Sequence, residues 1–366
     1  MTCPYPTPII QYPFQSDPLG RIAPVERGES LGLARAGSMR LAELYPALGE
    51  MLAGVEAGIE QAWRGEPGFL GRAAQRALSG RGKRLRPSIL LLAAECAGGA
   101  THTSVALASV VEILHTASLV HDDVVDEAAA RRGRRSANAM WGNKVSVLLG
   151  DYLIARALDL IPPSETEWLA PLVARVAAQM CTGQVQEVRA AGAPLTEDEY
   201  VEIVVAKTAS LFRLCGRVGV RSAGGSPEME AGLAAFAESF GVAFQFADDI
   251  LDLVGTNGKS GKPQGRDLAE RKFTLPLIVA SRMGGRSVRA RLHRILAKPS
   301  ITDQDMVAAR ELVESAGAIE PAWGRVREWL EAAQRELDSV ADGDAKRALV
   351  AACGELFPMP LMAAAK

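Results

Sequence analysis

Two short clusters of aspartates carry the clearest chemical signal in this sequence of 366 residues. Asp122–Asp126 and Asp248–Asp252 both read Asp-Asp-x-x-Asp, and each follows an apolar stretch with helical periodicity. On a helix, the first and last aspartates of a cluster share one face, about one turn apart. Such carboxylates repel one another unless a cation lies between them, and Mg²⁺ prefers oxygen ligands and bridges to phosphates. The two clusters therefore predict metal ions that hold a diphosphate or polyphosphate.

A solvated helix end is the alternative explanation for one such cluster. Acidic side chains are disfavoured at a helix C-terminus by the helix macrodipole, and the second copy weakens this explanation further. Basic residues also lie close to both clusters, within 82–87, 131–135, 258–262 and 271–272. Arginine pairs with phosphate oxygens in a bidentate manner, and lysine supplies a compact charge. We expect two anionic groups, held by metals on one side and by cations on the other.

The composition narrows the class of protein. A formal net charge of −2 argues against a nucleic-acid-binding protein, which normally carries a basic excess. The five cysteines are widely spaced and form no CxxC pair, so neither a disulfide framework nor a zinc site is indicated. The sequence contains no secretory signal pattern and no uninterrupted apolar run of about 18 residues. We therefore expect a cytoplasmic protein without a membrane span.

The elements that position the clusters are expected to be helices. Residues 1–38 contain six prolines without helical periodicity, which predicts an irregular N-terminal extension. From 39 to 366 the pattern is helical, and convincing strands are absent. Thr196 and Glu199 form a capping-box pattern, and Ser226-Pro227 is typical of a helix start. The fold class predicted is all-α, with one large helical bundle in one domain.

Six sequence motifs follow one another along the chain in the order that is typical of one protein family. They are GKRLRP at 82–87, HTASLVHDDVVDEAAARRG at 115–133, GNKVSVLLGD at 142–151, KTASLF at 207–212, FQFADDILD at 244–252 and GKPQGRDLAERKFTLP at 261–276. Together they resemble the trans-type polyprenyl diphosphate synthases, also called the isoprenyl diphosphate synthase family. The resemblance implies a helical bundle of the isoprenoid synthase type around a deep central cavity. It also implies a prenyltransferase that condenses an allylic diphosphate with isopentenyl diphosphate into a trans-polyprenyl diphosphate, geranylgeranyl or longer.

The resemblance assigns roles to individual residues. The main Mg²⁺ ligands implied are Asp122, Asp126 and Asp248, with Asp123, Asp249 and Asp252 as direct or water-mediated supports. The residues implied to bind isopentenyl diphosphate are Lys83, Arg86, His115 and Arg132. Those implied to bind the allylic diphosphate are Arg131, Lys207, Lys262 and Lys272. The catalytic groups implied are Lys207, Thr208 and Gln245, of which Thr208 and Gln245 face the reacting carbons. About three Mg²⁺ ions per site are expected, with Mn²⁺ as an alternative.

Product length is read from the helix that carries the first aspartate cluster. Ala117 and Ser118, about one turn before Asp122, are small where relatives with short products often have an aromatic side chain. This predicts a tunnel that stays open past that level, with Leu114 one turn further along. Other helices could also close the tunnel. The family also implies a homodimer, and long products imply peripheral association with a membrane.

Two other functional classes compete with this assignment. Class I terpene cyclases share the fold type but usually keep a single DDxxD motif and need no isopentenyl site. A subunit of a heteromeric synthase would typically have lost aspartates, and this chain retains all of them. One departure from the family lies at 183–187, where Gln184 and Glu187 look interchanged relative to many long-chain relatives. No catalytic role is assigned to either residue.

Overall fold

The computed structural model describes residues 41–64, 66, 68–79, 82, 84–131, 134–254, 265–355 and 357. Most of the chain within these ranges is helical, which confirms the all-α prediction. The Pro-rich extension at 1–38 lies outside the described residues, as do Lys83, Arg132 and Lys262. The roles predicted for those three residues therefore stay predictions, and so does the domain boundary at 38/39.

The first half of the described chain runs from α1 to α6 and includes one short hairpin. The elements are α1 Pro46–Ala62, α2 Gly68–Leu78, α3 Leu85–Cys96, α4 His102–Val125, β1 Ala130–Arg131, β2 Arg134–Arg135, α5 Ala137–Trp141 and α6 Asn143–Asp159. The two strands pair in an antiparallel manner. This hairpin directly follows the first aspartate cluster, which ends α4.

The second half contains the longest helices. The elements are α7 Pro163–Ala190, α8 Glu197–Val204, a π-helix Val205–Ala209, α9 Ser210–Ser222, α10 Pro227–Val254, α11 Arg266–Ala269, α12 Leu275–Met283, α13 Gly285–Leu296, α14 Asp303–Ser315, α15 Ile319–Glu336 and α16 Asp344–Glu355. The second aspartate cluster lies in the last two turns of α10. The bundle therefore holds each cluster near the C-terminal end of a long helix.

Helices α4, α9 and α10 form the middle of the bundle. Helix α9 packs against both α3 and α10, and α4 packs against α6, α1 and α3. The aromatic side chains of Phe212, Phe236 and Phe240 are completely buried there. Burial of this apolar surface is the main force that holds the two cluster-bearing helices in one domain.

One helix among the described residues, His102–Val125, is long and apolar enough to cross a membrane by length and composition. However, 78% of its apolar stretch is buried inside the bundle. This helix is α4, and its position is that of a core helix packed on three sides. A helix buried among other helices must be apolar all round, which explains its composition.

The predicted helix starts are confirmed. Thr196 and Glu199 form a reciprocal capping box at the start of α8, and Ser226 Oγ accepts a hydrogen bond from the backbone N–H of Met229 at the start of α10. The sequence pattern did not predict the π-helix that follows α8. A π-helical turn is often associated with functional residues, and this one carries Lys207 and Thr208.

Candidate active site

The first aspartate cluster is anchored at the end of α4 by the hairpin that follows it. Arg131 Nε donates a hydrogen bond to Asp123 Oδ1 at 2.7 Å, and Asn138 Nδ2 donates to the Asp123 carbonyl at 2.9 Å. Asp123 is buried, and burial raises its pKa although Arg131 opposes that effect. Asp122 is half-buried, and burial also raises its pKa. The cluster thus presents carboxylates whose ionised forms require cationic partners.

Asp126 connects the first cluster to the segment that follows the second. Arg266 Nη2 donates to Asp126 Oδ2 at 3.1 Å, and Lys272 Nζ lies 3.6 Å from Asp126 Oδ1. Both basic residues follow α10, the helix that carries the second cluster. These contacts bridge about 140 residues of sequence. The ends of α4 and α10 therefore face the same site.

The second cluster is tied to the same segment. The N–H of Gly265 donates to the Asp252 carbonyl, and the N–H of Asp267 donates to Asp252 Oδ2, each at 3.0 Å. Burial raises the pKa of Asp267 well above its usual value, and the neighbouring Asp249 and Asp252 raise it further. Acidic groups are thus concentrated where α10 ends, as the aspartate pattern predicted.

Glu187 on α7 holds two of the predicted diphosphate-binding lysines. Its Oε2 accepts a hydrogen bond from Lys207 Nζ at 2.6 Å and lies 3.2 Å from Lys272 Nζ. Lys272 Nζ is also 2.6 Å from Glu270 Oε2. Burial alone would raise the pKa of Glu187, but the two ammonium groups outweigh it, so that the pKa is lowered. The site therefore contains two lysines held by Glu187, one of which also lies beside Asp126 of the first cluster.

A close helix contact brings Glu187 to these lysines. A Cβ built on Gly183 would lie 2.6 Å from the backbone nitrogen of Lys207. Only glycine allows α7 to approach the π-helix this closely, and Glu187 follows Gly183 by about one turn. The sequence pattern at 183–187 was noted as unusual, but no catalytic role was predicted for Glu187. Glu187 is a site residue that the sequence analysis did not assign.

Thr208 on the π-helix and Gln245 on α10 are joined by a hydrogen bond between their side chains. Thr208 Oγ1 donates to Gln245 Oε1 at 3.1 Å, and Gln245 Nε2 donates to Asp249 Oδ1 at 2.9 Å. The hydroxyl of Tyr200 donates to the other oxygen of Asp249. A cleft of about 60 Å³ runs between this chain and the lysines. Its lining includes Glu187, Tyr200, Lys207, Thr208, Gln245, Asp249, Asp267 and Lys272.

The predicted isopentenyl diphosphate residues Arg86 and His115 also lie together. Arg86 Nη1 is 3.0 Å from His115 Nε2, and since a guanidinium only donates, that nitrogen of His115 is the acceptor. The guanidinium also lies over the Phe212 ring, 4.4 Å from its centroid. The structure thus brings together residues from α3 and α4 that are 29 positions apart in sequence.

The basic residues at 82–87 do not act as one group of anion-binding cations, because Arg84 is paired inside the protein. Its side chain is 9% exposed and is paired with Glu56 and Glu112. Its backbone adopts a left-handed conformation, with φ of +46°, at the N-cap position of α3. The charge of Arg84 is therefore neutralised inside the protein, whereas Arg86 faces His115.

The residues predicted to control product length are small and well packed. Ala117 has no exposed surface and Leu114 is 9% exposed. Ser118 is half-buried, and its hydroxyl donates to the His115 carbonyl at 2.8 Å. Their link to product length stays a prediction.

Comparison with known proteins identifies the family. Residues 68–313 match the family model described as polyprenyl synthetase. The chain belongs to this family. It is therefore a prenyltransferase of the polyprenyl diphosphate synthase type, as the six motifs predicted.

The most similar proteins cover most of this chain. An all-trans-nonaprenyl-diphosphate synthase (geranyl-diphosphate specific) from Rhodobacter capsulatus is 40% identical over 74% of this chain and 82% of its own length. A short chain isoprenyl diphosphate synthase from Methanothermobacter thermautotrophicus is 34% identical over 77% of this chain and 88% of its own. A polyprenyl synthase from Caulobacter crescentus, complexed with calcium and isoprenyl diphosphate, superposes with a TM-score of 0.79. That structure is 33% identical, over 87% of this chain and 97% of its own.

Proposed function

We propose that this polyprenyl synthetase condenses an allylic diphosphate with isopentenyl diphosphate and makes a trans-polyprenyl diphosphate longer than geranylgeranyl diphosphate. One observation carries the proposal. Lys207 and Lys272 line the cleft that also contains Asp249 of the second cluster, and Lys272 Nζ lies 3.6 Å from Asp126 of the first cluster. A diphosphate between metal-binding carboxylates and ammonium groups is neutralised from both sides, which a reaction that expels diphosphate requires.

The donor set fits Mg²⁺. Within the part of the chain that the structure describes, no three acidic, histidine or cysteine side chains converge into a metal site by themselves. Mg²⁺ is commonly held by one or two carboxylates together with substrate phosphates and water, so Asp122 with Asp126, and Asp248 with its neighbours, are suited to it. When bound, Mg²⁺ would supply Lewis-acid stabilisation of the departing diphosphate. We propose Asp123, Asp249 and Asp252 as supports.

The chain's own cations hold the allylic diphosphate in place. Lys207 and Lys272 both contact Glu187, so the two ammonium groups are held in place before the substrate binds. A diphosphate can then accept hydrogen bonds from these same ammonium groups. Arg131 occupies the hairpin next to Asp123. As the carbon–oxygen bond of the allylic substrate breaks, negative charge grows on the leaving oxygen, and these fixed donors stabilise it without reorganisation. The bond electrons leave with the diphosphate, and an allylic carbocation remains.

Dipoles rather than bases then face the carbocation. The Gln245 carbonyl and the Thr208 hydroxyl can stabilise positive charge without forming a bond to it. The double bond of isopentenyl diphosphate attacks the cation, a carbon–carbon bond forms, and one proton is lost to the released diphosphate. Arg86 and His115, with Lys83 and Arg132 by resemblance, are proposed to hold the diphosphate of isopentenyl diphosphate. Water must be excluded because it would trap the cation.

A product longer than geranylgeranyl diphosphate is favoured by the small residues before the first cluster. Ala117 and Ser118 place no bulky ring one turn below Asp122. The relative that is 40% identical is named for a nonaprenyl product, whereas the Methanothermobacter relative is named as a short chain enzyme. Identity alone therefore does not set length, and the proposal rests on the side chains that precede Asp122.

We also propose a homodimer in the cytoplasm, with peripheral membrane association when products are long. Of the 28 residues in α7, only four are buried. Val185 and Val188 on this helix are 57% and 52% exposed, and Leu148 on α6 is 62% exposed. Apolar side chains exposed on such long helices are typical of surfaces covered by another subunit. Light scattering of the purified protein would measure its mass.

The purified chain with Mg²⁺, an allylic diphosphate and labelled isopentenyl diphosphate tests the proposal. We expect diphosphate release coupled to incorporation of label, and loss of both when a chelator removes the metal. Release from the allylic substrate alone would favour a terpene cyclase. No release until a second protein is added would favour a subunit of a heteromeric synthase. Chromatography of the product measures its length, and products that end at farnesyl or geranylgeranyl diphosphate would overturn the length proposal.

A further inference from the structure

We infer that Tyr200 and Asp249 act together as positioning residues that fix the direction of the Gln245 amide in the active site. This inference rests on the proposed function, because the orientation of Gln245 matters only if its carbonyl faces the reacting carbons. The observation behind it is a continuous chain of hydrogen bonds from Tyr200 through Asp249 and Gln245 to Thr208. This chain joins α8, α10 and the π-helix.

Asp249 decides which end of the amide points inward. The NH₂ group of Gln245 donates a hydrogen bond to Asp249 Oδ1 at 2.9 Å, so this end of the amide faces the carboxyl group. The carbonyl oxygen then points the other way, where it accepts from Thr208 at 3.1 Å. If the amide turned round, its N–H groups would face the developing cation and would repel it. The polarity of Gln245 thus depends on Asp249.

Tyr200 in turn holds Asp249. Its hydroxyl donates to the second carboxylate oxygen, Oδ2, so both oxygens of Asp249 are occupied by donors from the protein. Asp249 is 2% exposed and Tyr200 is 5% exposed. The Tyr200 ring is stacked on Phe246, with centroids 6.0 Å apart and planes at 12°. A stacked ring with a bonded hydroxyl has little freedom, so the carboxylate cannot rotate away from Gln245.

This geometry separates Asp249 from the other aspartates of its cluster. Asp252 bonds to the backbone of the segment that follows α10, whereas both oxygens of Asp249 face Tyr200 and Gln245. We therefore infer that the main role of Asp249 is to orient Gln245, and that the neighbouring aspartates of the cluster bind most of the metal. Tyr200 precedes Lys207 by seven residues, about two turns, and so belongs to the same segment as the residues it helps to position.

Tyr200→Phe is the direct test, because it keeps the stacked ring and removes only the hydroxyl. We expect kcat to fall about tenfold to a hundredfold, the range for losing a hydrogen bond to a charged group. The KM for each diphosphate should stay within about twofold of wild type. Calorimetric binding of Mg²⁺ with inorganic diphosphate should be unchanged. Tyr45→Phe is the matched control, since Tyr45 donates to Glu95 Oε2 at 2.6 Å outside the site, and its kcat should not change.

A double-variant cycle separates positioning from a general structural role. In a Gln245→Leu background there is no amide to orient, so adding Tyr200→Phe should lower kcat no further. Additive losses would overturn the inference, and so would an unchanged kcat in Tyr200→Phe alone. A loss of Mg²⁺ and diphosphate binding in Tyr200→Phe that accounts for the whole fall in kcat would also overturn it, because Tyr200 would then act through the metal site and not through Gln245. A wild-type chain that fails to condense the two substrates would instead overturn the proposed function, and this inference with it.

Discussion

The ion pair between Arg84 and Glu112 offers a quantitative test of the packing that supports the active site. The two side chains are only 9% and 5% exposed, whereas Glu56, the other partner of Arg84, is 51% exposed and can turn to solvent. Removal of one partner from a buried pair costs about 3–5 kcal/mol, because the remaining charge stays desolvated. We therefore expect Arg84→Met to lower the free energy of unfolding by about that amount.

Urea unfolding of a double-variant cycle measures this energy. Glu112→Gln should cost slightly less than Arg84→Met, since it leaves Arg84 paired with Glu56. The double variant should lose less than the sum of the two single losses, with a coupling of about 2 kcal/mol, because no buried charge is left without a partner. Arg347 and Asp344 form a reference pair that is 70% and 71% exposed. Arg347→Met should cost less than about 1 kcal/mol.

The same variants also test whether this pair supports the proposed isopentenyl diphosphate site. Arg84 precedes Arg86 by two residues and Glu112 precedes His115 by three, so both contacts join the start of α3 to α4. Arg84→Met should raise the KM for isopentenyl diphosphate and leave the KM for the allylic substrate unchanged. A cost below about 1 kcal/mol, or strict additivity in the cycle, would refute the reasoning about burial. Equal changes in both KM values would refute the link to this site.

Three further predictions concern the active site directly. Asp122→Ala or Asp248→Ala should lower kcat by a factor of about 10² to 10³, because charge on the leaving diphosphate loses its stabilisation; near-normal rates would contradict the metal assignment. Ala117→Phe should shorten the product in chromatography by filling the space below the first cluster, and an unchanged product would place the tunnel elsewhere. Gly183→Ala should cost about 1–3 kcal/mol in urea unfolding and weaken allylic substrate binding, since α7 must move away from the π-helix. Gly343→Ala, at a glycine where an added Cβ meets no atom within 4 Å, is its control and should leave both unchanged.

Much of this protein could be predicted from the sequence. Helical periodicity and caps depend on residues a few positions apart, so the starts of α8 at Thr196 and α10 at Ser226 were correct. The aspartate clusters were recognisable because a repeated five-residue pattern keeps its carboxylates on one helix face in any context. The six motifs, in their order, indicated the family that the comparison then identified.

The partners of the charged residues could not be predicted in this way. Arg84 and Arg86 lie in one basic segment and look alike in sequence, yet one is buried between two carboxylates while the other faces His115. Glu187 became part of the site only because Gly183 lets α7 contact the π-helix. No pattern in the sequence indicated a functional role for Tyr200.

The physical reason is distance along the chain. Tyr200 and Asp249 are separated by 49 residues, and Asp126 and Arg266 by 140. Local rules predict which residues share a helix face, but not which other helix that face will meet. Charge and hydrogen-bonding capacity are properties of the side chain, whereas burial and the choice of partner follow from how the helices pack. The residue types thus indicated the chemistry of this protein, and the packing of its helices selected the groups that carry it out.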